Sequence, residues 1–168
     1  MTAPVDAAAA QGQIQRLYIS GTPFADSCDT EAEFLAALAT ADLFVRADNI
    51  LSDAKKDDSR ATADRKERGR DFLLTFTGGR ALVFSCKITK RPGNTAYDIF
   101  ATAYATNALI AVALATGDIT TTGTKSQCFN AVITKFPEDQ PDPGGVTHDI
   151  ELKPAGASAV VPTLVTKA

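Results

Sequence analysis

The stretch that most constrains this chain runs from Val146 to Lys153. Val146, His148, Ile150 and Leu152 fall on one side, and Thr147, Asp149, Glu151 and Lys153 on the other. A period of two sustained over that length describes a strand with one buried face. A second pattern of the same kind spans Ala108 to Leu114, where Ile110, Val112 and Leu114 alternate with Leu109, Ala111 and Ala113. Between the two lies an apolar run from Cys128 to Phe136, with turn chemistry on both flanks. The centre of the chain is therefore a β-sheet, and nothing in it has the make-up of an active site.

The segments before this centre extend the sheet and add helices. Gln13 to Ser20 reads as a strand with Leu17 and Ile19 on one face, stopped at Gly21-Thr22-Pro23 because proline donates nothing to a ladder. Thr30 and Glu33 have capping-box spacing ahead of Phe34, Leu35 and Leu38, which predicts a short helix. Leu43 to Leu51 is a candidate second strand. Asp71–Thr77 and Ala81–Thr89 flank Gly78-Gly79, a dipeptide that predicts a tight hairpin. Phe72, Leu74 and Phe76 share one face of the first arm, and Leu82, Phe84, Cys86 and Ile88 share one face of the second. Asn94 or Thr95 opens a second helix with Tyr97, Phe100, Ala101 and Tyr104 on one stripe and Asn107 as its stop. The tally is roughly seven strands and two helices, which predicts a mainly β chain: a β-sandwich or partial barrel with one or two external helices.

One compositional break interrupts this pattern, from Ser52 to Arg70. It carries Lys55, Lys56, Arg60, Arg65, Lys66, Arg68 and Arg70 against Asp53, Asp57, Asp58, Asp64 and Glu67, and no large apolar residue. The expectation is a long charged loop, either solvated and flexible or ordered on a partner, since such a segment cannot offset its own ordering entropy alone. Residues 1–12 read as an N-terminal arm and 154–168 as a C-terminal arm. With these included, the 168 residues make a single domain.

The inventory for chemistry is thin. The single histidine, His148, lies on the apolar face of its strand and reads as a hydrogen-bonded core residue, with Asp149 pointing the other way. Cys28, Cys86 and Cys128 have no paired spacing, so reduced core thiols are expected rather than disulfides or a metal site. No phosphate-binding glycine loop or nucleophile elbow occurs. No cofactor and no catalytic residue is expected. A net charge of -3 argues against gripping nucleic acid. No run reaches ~18 consecutive apolar residues, and the N-terminus has no leader pattern, so neither membrane insertion nor secretion is expected.

From about Leu82 onward the sequence resembles the major tail proteins, or tail tube proteins, of long-tailed bacteriophages. The resemblance rests on the order of elements: Val83 to Thr89, the aromatic helix Tyr97 to Tyr104, Leu109 to Leu114 with the turn Gly117 to Gly123, Phe129 to Asp139, and Val146 to Pro154. It implies a subunit that forms hexameric rings whose sheets join into a continuous inner β-barrel. Stacked rings would then form a conduit for double-stranded DNA, which passes without specific binding. The partners implied are copies of the chain itself and other tail proteins at the tube ends. The implied location is a virion tail, after synthesis in a host cytoplasm. The family's long loop reaches a neighbouring subunit or ring, which maps onto Ser52 to Arg70. Thr147, Asp149, Glu151 and Lys153 are one candidate lumen lining. Two other structural readings compete: a non-polymerising ring protein of a head–tail connector or tail terminator, and a small monomeric β-sandwich binding module.

Overall fold

The structure is a computed structural model. It describes residues 16–28, 30–40, 43–47, 50–66, 73–139, 145–156 and 163–167, with the backbone alone for 52, 53, 58, 60–66 and 73–80. Nine strands and two helices follow one another in these segments. They are β1 (Arg16–Ser20), α1 (Glu31–Leu38), β2 (Val45–Arg46), β3 (Leu51–Lys66), β4 (Leu73–Thr89), α2 (Thr95–Thr106), β5 (Ile110–Ala115), β6 (Lys125–Lys135), β7 (Glu138–Asp139), β8 (Thr147–Pro154) and β9 (Thr163–Thr166).

All nine strands belong to one antiparallel sheet, ordered β2-β1-β5-β6-β8-β4-β3, with β7 on β8 and β9 on β6. The chain is mainly β with two helices, as its patterning predicts. The sheet is single and open; it does not close into a barrel. β6 explains much of its shape. One edge pairs with β5, while the other is shared end to end by β9 (Lys125 to Cys128) and β8 (Ala131 to Lys135).

Each face of the central strands is covered by its own cluster. On one face Leu17, Ile19, Ile110, Val112, Leu114, Phe129, Ile150 and Leu152 pack with Ala96, Tyr97, Phe100 and Ala103 of α2. On the other, Tyr18, Ala111, Ala113, Ala115 and Cys128 pack with Phe34 and Leu38 of α1. Phe24 joins that second cluster edge-on to Phe34, with ring centroids 4.9 Å apart. This is why β5 is buried along its whole length: small alanines on one side admit the aromatic layer, and branched residues on the other enter the main core. Burying a side chain such as Phe34 or Ile150 contributes about 1.5–3 kcal/mol.

Both helices start where their sequence places them, and α2 also stops there. Thr30 Oγ1 accepts from the Glu33 amide while Glu33 Oε2 accepts from the Thr30 amide, the reciprocal capping box. Asn94 Oδ1 accepts from the amides of Ala96 and Tyr97, and Asn107 ends α2 in the left-handed region at φ 53°. The buried stripe is Ala96, Tyr97, Phe100 and Ala103, so Tyr104 sits at its rim, stacked on Phe136.

Buried polar groups are paired at two points that hold the layers together. His148 is 4% exposed, 3.1 Å from the Tyr97 hydroxyl through Nε2, and stacked on Phe136; it is a core residue that ties α2 to β8. Asn130, buried on β6, accepts from the Phe24 amide at 2.7 Å and donates to the Phe24 carbonyl at 2.9 Å, closing a side-chain bridge to the segment after β1. Asn130→Leu is expected to lower stability by about 3 kcal/mol, because it strands both Phe24 backbone groups in the core. Urea unfolding followed by circular dichroism measures that loss, and a change under ~1 kcal/mol would show that the bridge is dispensable.

Four sequence expectations are corrected here. The segment from Ser52 is no loop: through Lys66 it is β3, held as a strand by the full ladder to β4. Gly78-Gly79 is not a turn, since β4 runs unbroken from Leu73 to Thr89. The second strand shrinks to Val45–Arg46, and among the other described residues of that stretch only Leu51 is extended, as the start of β3. The C-terminal arm contains β9, which gains its place from the ladder to β6 and from Glu31 Oε1 accepting from the Thr166 amide at 2.7 Å. The N-terminal arm, residues 1–12, lies outside the described residues, as do Glu67, Arg68 and Arg70.

Candidate assembly surface

The hairpin of β3 and β4 is longer than the sheet that carries it. β4 pairs with β8 only from Phe84 to Thr89, whereas its ladder with β3 runs from Lys66↔Leu73 to Leu51↔Ile88. Residues 73 to 83 of β4 thus have β3 as their sole strand partner among the described residues. At about 3.4 Å per residue, that leaves an arm of roughly 35 Å beyond the body of the sheet.

The residue chemistry changes along this hairpin. At its base Leu82, Phe84, Cys86 and Ile88 are buried in the main core, while Val83, Ser85 and Lys87 are half-buried. Lys55, Lys56 and Asp57 on the partner strand are exposed, and Lys56 Nζ donates to Gln127 Oε1. Asp58, Arg60, Asp64, Arg65 and Lys66 occupy ladder positions opposite Leu82, Arg80, Thr75, Leu74 and Leu73. Among the described residues no strand pairs with the outer edge of β3, so it offers a row of free backbone donors and acceptors. Charged side chains such as Lys55, Lys56 and Asp57 are a common protection of such an edge against indiscriminate pairing.

A second surface is the solvent side of β8 and its neighbours. Asp149 and Lys153 are exposed, and Thr147 and Glu151 are half-buried, opposite in pleat to buried His148, Ile150 and Leu152. Each carboxylate here has a lysine. Asp149 lies 3.7 Å from Lys87 Nζ, Glu151 lies 2.9 Å from both Lys135 and Lys153, and Glu138 lies 3.0 Å from Lys90. The sequence pattern of β8 alone suggests an acidic strip; cross-strand lysines from β4 and β6 make the face self-compensating.

Glu151 is the most strongly perturbed group of this face. Hydrogen bonds from Lys135, Lys153 and Thr134 pull its carboxyl from the ordinary 4.5 down to about 2. A carboxylate depressed on folding adds stability that is complete above about 4.5 and lost as pH falls through about 2. Glu151→Gln is therefore expected to flatten the acid limb of a melting-temperature profile between those pH values. An unchanged limb would mean that the three hydrogen bonds do not hold the carboxylate in solution.

Chemistry at other points is weak. Cys28, Cys86 and Cys128 are buried and form no disulfide with one another, and burial pushes the Cys86 and Cys128 thiols up to about 12. Among the described residues, no three metal-ligating side chains converge and no helix is long and apolar enough to cross a membrane. A groove of about 340 Å³ beside α2 is lined by Ile99, Ala103, Ala108 and Ile110, with Asp98 as the one titratable group among its described residues. That lining gives no acid–base pair.

No family model matches the chain, and no curated protein matches it by sequence. Solved structures do. The chain resembles one in the tail of an empty gene transfer agent particle, determined with C6 symmetry, at a TM-score of 0.55 and 13% identity. That alignment covers 76% of this chain and 89% of the other. It also resembles a chain in the virion of a native gene transfer agent particle, at a TM-score of 0.51 and 13% identity over 74% of this chain and 89% of that one. A third likeness, to a chain of the extended sheath–tube complex of an extracellular contractile injection system, has a TM-score of 0.48, 13% identity and 99% coverage of both chains. The fold is thus the one found in phage-like tail particles.

Proposed function

We propose that the chain is a structural subunit of a phage or phage-like tail tube. It polymerises as stacked hexameric rings around a conduit for double-stranded DNA, and it is not an enzyme. The observation that carries this reading is the shared fold with a chain of a six-fold symmetric tail. Two features of the molecule support it. The β3 edge, free along its length among the described residues, suits pairing with a neighbour's sheet, and a heterologous contact of that kind generates a ring when its rotation closes. The β3–β4 arm extends well past the subunit's own sheet, so it has the length to cross to an adjacent subunit or ring. In that assembly the partners are further copies, other tail proteins at the tube ends, and DNA in transit without specific binding. The subunit is made in a host cytoplasm and ends in the virion. Negative-stain microscopy of the purified chain tests this, with long hollow tubes as the expected result. Isolated rings would favour a connector or terminator role, and a stable monomer would remove the tube reading.

A further inference from the structure

Two of the three buried thiols lie together. Cys28 and Cys128 belong to the cluster that α1 covers, with Phe24, Phe34 and Val165, whereas Cys86 belongs to the core on the opposite face of the sheet. The backbone explains the meeting. Asn130 and Cys128 stand on the same face of β6, paired with Ala111 and Ala113 of β5. Two residues of strand separate them by about 7 Å. Asn130 holds both backbone groups of Phe24, at 2.7 and 2.9 Å, so the connection from β1 to α1 is fixed over β6 at that point. From there the chain turns back, with the Cys28 amide donating to the Ala25 carbonyl at 2.8 Å. A turn of that kind keeps its ends within roughly 7 Å of each other. Burial, and then the Cys28 sulfur beside it, push the Cys128 thiol up to about 12.

We propose that Cys28 and Cys128 are an oxidation site: in an oxidising thiol buffer the pair closes to a disulfide that staples the β1–α1 connection to β6. Such a bond needs Cα atoms roughly 4.4–6.8 Å apart, a span open to a thiol on the connection and another on the strand beneath it. The chemistry is thiol–disulfide exchange. Cys28, 6% exposed against 0% for Cys128, loses its proton, and its sulfur attacks one sulfur of oxidised glutathione, releasing one glutathione thiolate. The Cys128 sulfur, losing its own proton, then attacks the Cys28 sulfur of the mixed disulfide and expels the second glutathione. Two cysteine sulfurs are oxidised, one glutathione disulfide is reduced, and the two protons leave on the two glutathione thiols.

The site goes beyond the tail-tube reading and does not depend on it. A reducing cytoplasm keeps the pair as thiols, and an oxidising medium closes it. Protonated core thiols attack slowly, so closure waits on local opening of the connection. The closed loop takes in α1, α2 and every strand from β2 to β5. The constraint that a disulfide places on the unfolded chain grows with such a span.

The test incubates the wild-type chain with oxidised glutathione in mild urea, then alkylates it unfolded, without reductant, and maps its peptides by mass spectrometry. The expected product is a Cys28–Cys128 link within one chain, with Cys86 alkylated. Its melting temperature should rise by at least about 5 °C and return to the starting value in dithiothreitol. Cys86→Ala should keep both effects, and Cys28→Ala should lose both. Two alkylated thiols after full incubation, or glutathione left on Cys28 beside an alkylated Cys128, would overturn the proposal. So would a link to Cys86 or between chains, or a linked chain that melts no higher than the reduced one. None of these outcomes bears on the tube reading, which microscopy decides.

Discussion

Replacing residues 60–80 by Asn-Gly is expected to leave a folded protein that no longer polymerises. Ser59 and Ala81 are direct partners in the β3–β4 ladder, so a two-residue turn joins them in the existing register. The cut spares Leu82, Phe84, Cys86 and Ile88, the part of β4 inside the core, and it spares the ladder from β4 to β8. With those core residues kept, melting should shift by no more than a few degrees. Under the proposed tail-tube function assembly should disappear altogether, because each subunit loses the arm proposed to reach its neighbour, and a polymer amplifies the loss of one contact through every repeat. Sedimentation and negative-stain microscopy read both halves of the result. Normal tubes from the shortened chain would show that the arm is decoration.

The second large effect concerns DNA. Assembled tubes are expected to hold duplex DNA negligibly at physiological salt, and tubes carrying Asp149→Lys with Glu151→Lys are expected to retain it. On the β8 face, Lys87, Lys90, Lys135 and Lys153 are matched by Asp139, Glu138, Asp149 and Glu151 within 4.0 Å. A face neutralised from within has few spare cations with which to displace the counterions condensed on DNA. Each substitution changes its position from -1 to +1, and it also frees the lysines that the carboxylate had held. Repetition around a ring turns several weak phosphate contacts into an avid site, and affinity should then fall steeply with salt, by roughly 0.9 in log–log slope per phosphate neutralised. Retention measured between low and physiological salt tests this directly. An unchanged double variant would move the lumen lining to other strands. Strong binding by the wild-type tube would count against a conduit.

What could be read from residues alone depended on whether local chemistry or distant pairing decides the conformation. Thr30 with Glu33, and Asn94 with Asn107, act within one or two turns, so the starts of both helices and the end of α2 were legible, while the uncapped end of α1 came a fraction of a turn earlier, at Leu38. The alternation of β8 was equally plain, since one face meets the core at every second residue. β3 was not legible as a strand. Its residues from Ser52 to Lys66 contain no apolar alternation, and their extended form comes from the β4 ladder. That pairing is a property of strand context, to which intrinsic preference is blind. Gly78-Gly79 misled for a related reason: two glycines serve a tight turn or a bulge equally well, and only the partner strand decides between them. β9 is four residues held by β6 and by Glu31, a carboxylate more than a hundred positions away. Of the candidate surface, the unusual composition of Ser52 to Arg70 was visible, but its shape was not. The pairing of Asp149 and Glu151 with lysines of β4 and β6 required the strand order.

β5 has a consequence for how such a chain must be produced. Ile110 to Ala115 is apolar throughout, free of charge and proline, and it avoids solvent only because both faces and both edges are covered. Before folding, the same six residues are a good template for cross-chain stacking, the hazard that grows with concentration. The chain's order limits the exposure. β1 has already been made when β5 emerges, and β6 follows after a short Thr- and Gly-rich turn, so partners for both edges lie within reach of the same molecule. A chain that served as the repeating subunit proposed here would have to be made in abundance, and this one keeps its most apolar strand between one strand that precedes it and another that arrives almost at once. Refolding from denaturant, where many chains release that segment together, is the circumstance in which this protection is lost.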